Sequence, residues 1–202
     1  MRRREDYLIS FDYEEVVPQK PPGRFLLYLY DLLGSISAAL FTVCLVFTFL
    51  FRMVDVDGDS MLNTLSHGDW LCISSLYFEP EYGDIVIISR ETTNERPLVK
   101  RIIGKENDVV DIDFATNTVS VNGQVLDEPY IAEPTERFFD VQFPITVPEG
   151  CVFVMGDNRN HSLDSRSSLV GCVEINRILG KVLVRVTPEI TFFVGDADKA
   201  AG

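Results

Sequence analysis

Basic residues are scarce in this chain, which has 18 Lys and Arg against 31 Asp and Glu and a formal net charge of −13. Proteins that bind along a phosphate backbone rely on clustered Lys and Arg side chains. The composition therefore argues against nucleic acid as a partner. The 202 residues, 46% of them hydrophobic, are enough for one ordinary domain and an additional segment.

Cysteine is also sparse, and none of the four cysteines belongs to a Cys-x-x-Cys pair or a Cys/His cluster. Without convergent ligands, the sequence predicts no metal site and suggests no cofactor. Cys44 lies in an apolar run, and the odd remainder of Cys72, Cys151 and Cys172 does not indicate a disulfide framework. We expect all four to pack as small apolar residues, and the redox state of the last three stays open.

One hydrophobic run stands out, because residues 32–51 contain no charged side chain. A helix of about 20 residues spans the roughly 30 Å core of a bilayer, so we predict a transmembrane anchor over residues 25–52. A buried helix of a soluble protein is the first alternative, but such helices usually keep a polar face. A cleavable signal peptide is the second, but the run is too long and no A-x-A-like site follows it.

Lys and Arg are concentrated before this run, and only Arg52 follows it before Arg90. An excess of basic residues marks the cytoplasmic side of a membrane helix. The preceding basic residues are Arg2, Arg3, Arg4, Lys20 and Arg24. We therefore predict a single-pass protein of the cell membrane, with a cytoplasmic tail over residues 1–24 and an extracytoplasmic domain over residues 53–202.

Beyond residue 53 the hydrophobic residues form short runs of the β type, separated by Gly, Pro and Asp. The Asn122-Gly123 pair between two such runs predicts a type I′ hairpin turn. Because no helical pattern lies between the runs, a mainly β domain with antiparallel pairing is favoured over βαβ units. We predict strands over residues 70–74, 84–89, 98–103, 109–114, 118–121, 125–126, 151–155 and 178–186, and a last strand or packing segment over residues 190–194.

Ser60 and Lys100 are the candidate chemical groups. A serine hydroxyl attacks a carbonyl well only when a neighbouring base takes its proton, and a lysine can be that base only when neutral. In a strand, Lys100 shares a face with Leu98 and Ile102, whereas Arg101 points to the opposite face. An apolar face lowers the pKa of a lysine below its usual value of about 10.4, because desolvation disfavours the charged form.

A third polar segment, Gly-Asp-Asn-Arg-Asn-His-Ser-Leu-Asp-Ser-Arg over residues 156–166, directly follows the predicted strand 151–155. Its density of Arg, Asp and Ser suits an electrostatically organised wall of a site. Together with the segments around Ser60 and Lys100, it resembles the motifs of type I signal peptidases, of the single-anchor Gram-positive style. The resemblance covers roughly residues 30–186, and the last segment matches the G-D-N-R-x-x-S-x-D-S-R motif at every fixed position.

The resemblance implies a membrane-bound serine endopeptidase that removes signal peptides from secreted and exported pre-proteins at small residues, outside the membrane. Its implied partners are these pre-proteins and the lipid bilayer. The implied fold is an antiparallel domain of coiled, barrel-like β-sheets. The implied roles are nucleophile for Ser60, general base for Lys100, substrate binding for Met61, hydrogen bonding to the lysine amine for Ser162, and organisation of the wall for Asp157, Asp164 and Arg166.

The chain departs from the family pattern at two positions. Asn63 stands where relatives usually have proline, and Gly58 stands where many have a serine that helps to hold the oxyanion. Three alternatives remain: a Ser60–His161–Asp164 triad, a non-catalytic signal-peptidase-like factor for assembling surface pili, and a self-cleaving Ser–Lys repressor. The chain lacks the G-x-S-x-G elbow of many triad enzymes. It keeps both dyad residues, and it carries an apolar anchor rather than a DNA-binding module.

Overall fold

The computed structural model describes residues 23–75, 79–89 and 96–193. Helix α1 covers Arg24–Leu50, and strand β1, Phe51–Asp55, follows it directly. Among the described residues, α1 is the one helix long and apolar enough to cross a membrane. The predicted tail lies outside the described residues except for its last two positions, and the helix ends shortly before the predicted boundary at residue 52.

The chain divides into one unit up to Cys44 and a second unit from Leu45 onward. The second unit contains two β-sheets, and every pairing between the described strands is antiparallel. The strands after β1 are β2 Trp70–Ser74, β3 Ile85–Ile88, β4 Leu98–Gly104, β5 Val109–Asp113, β6 Thr118–Val121, β7 Gln124–Val125, β8 Ile145–Thr146, β9 Cys151–Met155, β10 Val173–Glu174, β11 Ile178–Thr187 and β12 Thr191–Phe192.

The larger sheet has the order β1-β2-β11-β3-β4-β9-β10, with β12 paired to β11, and the smaller sheet has the order β7-β6-β5-β8. Register shifts within the β11 and β4 pairings mark irregularities of the kind that bend and twist a sheet. The predicted fold class, a mainly antiparallel β domain behind one apolar helix, is confirmed. The predicted hairpin also forms, since Asn122 and Gly123 have φ of 53° and 80°, as a type I′ turn requires.

Strand β4 is the element that brings the separate cores together. Its residue Ile102 packs in a cluster with β3 and β9 side chains, whereas Ile103 packs in a second cluster under the smaller sheet. In the same strand, Lys100 and Arg101 are only 1% and 4% exposed. The sequence analysis placed Lys100 and Arg101 on opposite faces of the strand, and the structure buries both of them.

All four cysteines lie among the described residues, and none of them forms a disulfide. Cys151 and Cys172 are half-buried against the cluster under the smaller sheet, as expected for small apolar residues. Burial, followed by the nearby Cys151, raises the pKa of Cys172 to about 11. Cys44 is instead exposed on α1.

Candidate active site

The loop that carries Ser60 connects β1 to β2 and is held by buried side chains on both sides of the serine. Val56, Met61 and Leu65 are at most 3% exposed and belong to one core cluster. The Leu65 N–H also donates to the Met61 carbonyl at 2.8 Å, which closes a turn after the serine. Met61 is therefore a core residue, and the substrate-binding role implied for it stays a prediction.

Lys100 reaches this loop from β4, an interior strand of the larger sheet. Its Nζ donates to Ser60 Oγ at 2.8 Å and to its neighbour's carbonyl, Val99 O, at 2.8 Å. The amine therefore contacts the one atom from which a general base would take a proton. The structure brings together the two residues that the sequence analysis selected, which lie forty positions apart.

Arg101, the next residue along β4, is tied to the segment after β9. Its guanidinium donates to both carboxylate oxygens of Asp157, at 2.9 and 2.7 Å, and to Gly83 O at 2.8 Å. Asp157 also accepts the hydroxyl of Thr64 from the serine loop. Asp157 thus joins the lysine strand to the serine loop. Its role in organising the wall of the site stays a prediction.

The rest of the 156–166 segment is held by two further buried ion pairs. Arg166 donates to Asp164 Oδ1 at 2.8 Å and Oδ2 at 2.9 Å, and Asp164 also accepts the Gly156 N–H at 3.0 Å. Arg159 donates to both oxygens of Glu128, at 2.9 and 2.6 Å. Because these buried charges are paired and hydrogen-bonded, none of them is left uncompensated away from water. The ion pairs therefore hold the segment in place.

Tyr130 packs between the two arginine clusters, with its ring 4.0 Å from the guanidinium carbon of Arg101 and 6.0 Å from that of Arg159. Burial, followed by the charge of Glu128, raises the pKa of Tyr130 above its ordinary value. The tyrosine therefore stays neutral and supports the site by packing against Arg101.

Ser162 is close to the dyad, but the structure does not form the hydrogen bond expected for it. Its hydroxyl is buried and has no hydrogen-bond partner within the described part of the chain. The approach is tight, because a Cβ on Gly156 would lie 2.2 Å from Ser162 Oγ and 2.4 Å from Ser60 O. Only glycine at position 156 allows the two segments to approach this closely.

The histidine triad is not assembled. His161 is exposed, and none of the hydrogen bonds found between described residues joins it to Ser60 or Asp164. Asp164 is instead paired with Arg166. His67 is also exposed, with its Nδ1 accepting the Gly58 N–H at 3.3 Å. Among the described residues no group of three or more His, Cys, Asp and Glu is arranged to hold a metal ion.

Sequence reasoning missed several residues that organise this site. The Asn158 side chain donates to Asp59 O at 2.9 Å, and its N–H donates to Ser60 O at 3.1 Å. Thr64 donates its hydroxyl to Asp157, 93 positions away, and Glu128 accepts from Arg159, 31 positions away. Asn158 belongs to the recognised motif, so its position was a signal, whereas nothing around Thr64 or Glu128 indicates a long-range partner.

Comparison with known proteins relates the chain to one family. Residues 29–187 match the family described as "Signal peptidase, peptidase S26". Signal peptidase I of Bacillus amyloliquefaciens is 37% identical over 156 residues, which are 72% of this chain and 79% of the relative. Signal peptidase I of Bacillus licheniformis is 35% identical over 82% of this chain and 89% of the relative.

A crystal structure of a signal peptidase I from Enterococcus faecalis V583 is also similar, with 30% identity, a TM-score of 0.44, and coverage of 52% of this chain and 98% of that one. The family match and the Bacillus relatives define the class of protein as a serine endopeptidase. More particularly, the chain belongs to the signal peptidase family, peptidase S26. The resemblance and the enzyme class predicted from the sequence are confirmed.

Proposed function

We propose that this protein cleaves signal peptides from pre-proteins on the outer side of the cell membrane, with Ser60 as nucleophile and Lys100 as general base. One observation carries the proposal: Lys100 Nζ lies 2.8 Å from Ser60 Oγ, within the distance for direct proton transfer. The family match and the Bacillus signal peptidases support the substrate class.

The proposed reaction has two halves. As Ser60 Oγ attacks the scissile carbonyl carbon, its proton moves to Lys100 Nζ, and the carbonyl π electrons move to oxygen. Collapse of the tetrahedral intermediate breaks the C–N bond, and Lys100 returns the proton to the leaving amine, which becomes the new N-terminus of the mature protein. Lys100 then takes a proton from water as the water oxygen attacks the ester carbonyl. Collapse of the second tetrahedral intermediate breaks the bond to Ser60 Oγ, which recovers its proton from Lys100.

A cavity of about 310 Å³, lined by residues of β1, β4 and the serine loop, is the proposed binding groove for the segment before the cut. Its lining includes Asp57 from the serine loop and Val99, whose carbonyl accepts from the lysine amine. Among the described strands, β1 pairs with β2 alone, and the pairing of β4 with β9 begins at Arg101. Both walls therefore offer unpaired strand edges to which an extended peptide can add as a strand.

We propose that the enzyme is anchored in the cell membrane. The apolar helix α1 supports a membrane-anchored enzyme with the bilayer as a partner. The excess of Lys and Arg before α1 supports a cytoplasmic N-terminus and an extracytoplasmic catalytic domain over residues 53–202, behind an anchor over residues 25–52. The net charge of −13 supports the exclusion of nucleic acid.

In vitro processing of a model pre-protein by the full-length enzyme in detergent tests the proposal. Wild type should yield mature protein with a single new N-terminus, and Ser60→Ala should yield none. Ser66→Ala is the matched control, because Ser66 is an exposed serine in the same loop, and it should process normally. Processing by Ser60→Ala would reject the nucleophile, and no processing by wild type would favour a non-catalytic assembly factor.

A further inference from the structure

We infer that Asn158 is a positioning residue for the reaction, which holds the peptide group before Ser60 so that the Ser60 N–H faces the developing oxyanion. The inference rests on the proposed function, since it assumes that Ser60 is the nucleophile. The Asn158 side chain takes part in neither the dyad nor the buried ion pairs.

The contacts come from one residue to two consecutive carbonyl groups. The Asn158 side-chain amide donates to Asp59 O at 2.9 Å, and the Asn158 backbone N–H donates to Ser60 O at 3.1 Å. Asn158 is only 7% exposed, so these bonds are protected from competition with water. A second donor to Asp59 O, the Leu62 N–H, is longer at 3.3 Å.

The orientation of the N–H groups follows from peptide geometry. In a planar trans peptide the C=O and the N–H point in opposite directions, and neither bond flanking Ser60 is among the cis peptides of the described chain. When Asp59 O points toward Asn158, the Ser60 N–H points away from it. No residue of the described ranges accepts a hydrogen bond from this N–H, so it remains available to a substrate oxygen.

The glycine at position 58 increases the importance of the Ser60 N–H as a donor. Position 58 has no side chain to donate a hydrogen bond, and its φ of +99° is a conformation that L residues rarely adopt. The oxyanion therefore receives no side-chain donor from position 58, and the direction of the backbone N–H groups depends on what holds the carbonyls behind them. Asn158 provides the shorter contact to Asp59 O.

The expected effect is on the transition state rather than on substrate binding. Removing a whole oxyanion donor lowers kcat by roughly 100- to 1000-fold, so misorienting one should lower it by roughly 10- to 100-fold. Because the oxyanion exists only in the tetrahedral state, KM should stay within about twofold. A peptide aldehyde that carries the sequence before the cleavage site is attacked by Ser60 Oγ and forms a similar tetrahedral oxyanion. Its inhibition constant should therefore rise in parallel with the loss of kcat.

The test uses the full-length enzyme, the variants Asn158→Asp and Asn158→Ala, and the matched control Asn160→Asp. Asn160 lies two residues further along, and its amide donates to Glu133 and to Pro134 O rather than to the serine loop. Circular dichroism melting curves identify any variant that does not fold, and the remaining variant then decides the outcome. We expect both Asn158 variants to lose kcat and aldehyde affinity together, and Asn160→Asp to stay within about twofold of wild type.

Two results would overturn the inference. The first is an unchanged kcat in the Asn158 variants, and the second is a lower kcat with unchanged aldehyde inhibition, which would indicate a structural role only. Failure of the proposed function is distinguishable, because it would appear as activity in Ser60→Ala. If Ser60→Ala is inactive while Asn158→Asp behaves as wild type, the dyad stands and only the positioning role is rejected.

Discussion

Arg101 and Asp157 form a bidentate ion pair across 56 positions of the chain, with exposed side-chain fractions of only 5% and 0%. The pair joins β4, next to the lysine, to the segment after β9. Because each carboxylate oxygen accepts one guanidinium N–H, the relative position of the two elements is fixed in distance and in orientation.

We predict that removing one partner of the Arg101–Asp157 pair lowers the free energy of unfolding more than replacing both partners with apolar residues. Asp157→Ala leaves the Arg101 charge buried without its carboxylate and should lower the free energy of unfolding by about 3–5 kcal/mol. The double variant Arg101→Met/Asp157→Leu should lose less than Asp157→Ala alone, because no buried charge remains. Denaturant titration of the full-length protein measures both.

The exposed pair of Arg96 and Asp57 is the control for this comparison, with side-chain exposures of 74% and 44%. Arg96→Ala should change the free energy of unfolding by less than about 1 kcal/mol, as is usual for surface pairs. A loss in Asp157→Ala no larger than that in Arg96→Ala would contradict the structural role assigned to the buried pair.

The elements that the sequence predicted correctly are those with a local signal. Strands over residues 70–74, 118–121 and 151–155 have the predicted bounds, since each is a compact β-type run with turn residues near its ends. Strand β1 was missed because its first residue, Phe51, continues the apolar run of the helix. Strands β8 and β10 have two residues each, too few for a period to be visible, whereas β12 lies within the last strand or packing segment predicted over residues 190–194.

The residues of the site, like the strands, could be predicted only where a local signal in the sequence marks them. Ser60 and Lys100 could be selected because the chemistry of the dyad and the recognised motifs both indicate them. The partners of Asp157, by contrast, are set by the three-dimensional path of β4 and the serine loop, and neither Thr64 nor Arg101 is marked as a partner in the sequence. The expected contact of Ser162 failed for a similar reason, since a local motif does not specify which way a hydroxyl points in a tightly packed core.

Substitution of His161 distinguishes the Ser60–Lys100 dyad from a histidine triad. Because its side chain is exposed and Asp164 is occupied by Arg166, we predict that His161→Asn retains most of the wild-type kcat/KM. Steady-state kinetics on a signal-peptide substrate measures this. A loss on the order of 1000-fold, the scale expected for a general base, would instead assign the base to His161.

Membrane topology can be tested in intact cells. We predict that externally added protease digests the domain over residues 53–202 and leaves an N-terminal tag protected, because the basic residues cluster before α1. Permeabilised cells, in which the tag is also digested, provide the control. Protection of the large domain together with digestion of the tag in intact cells would reverse the orientation.

The central claim is that Lys100 removes the proton of Ser60, and Lys100→Arg tests it most directly. Arginine keeps the positive charge and much of the length, but it cannot lose its proton to become a base. From the 2.8 Å contact between Nζ and Ser60 Oγ, we predict that kcat/KM of Lys100→Arg falls to the background level of Lys100→Ala, while the variant remains folded by circular dichroism. A Lys100→Arg enzyme that still processes pre-protein would show that another group deprotonates Ser60.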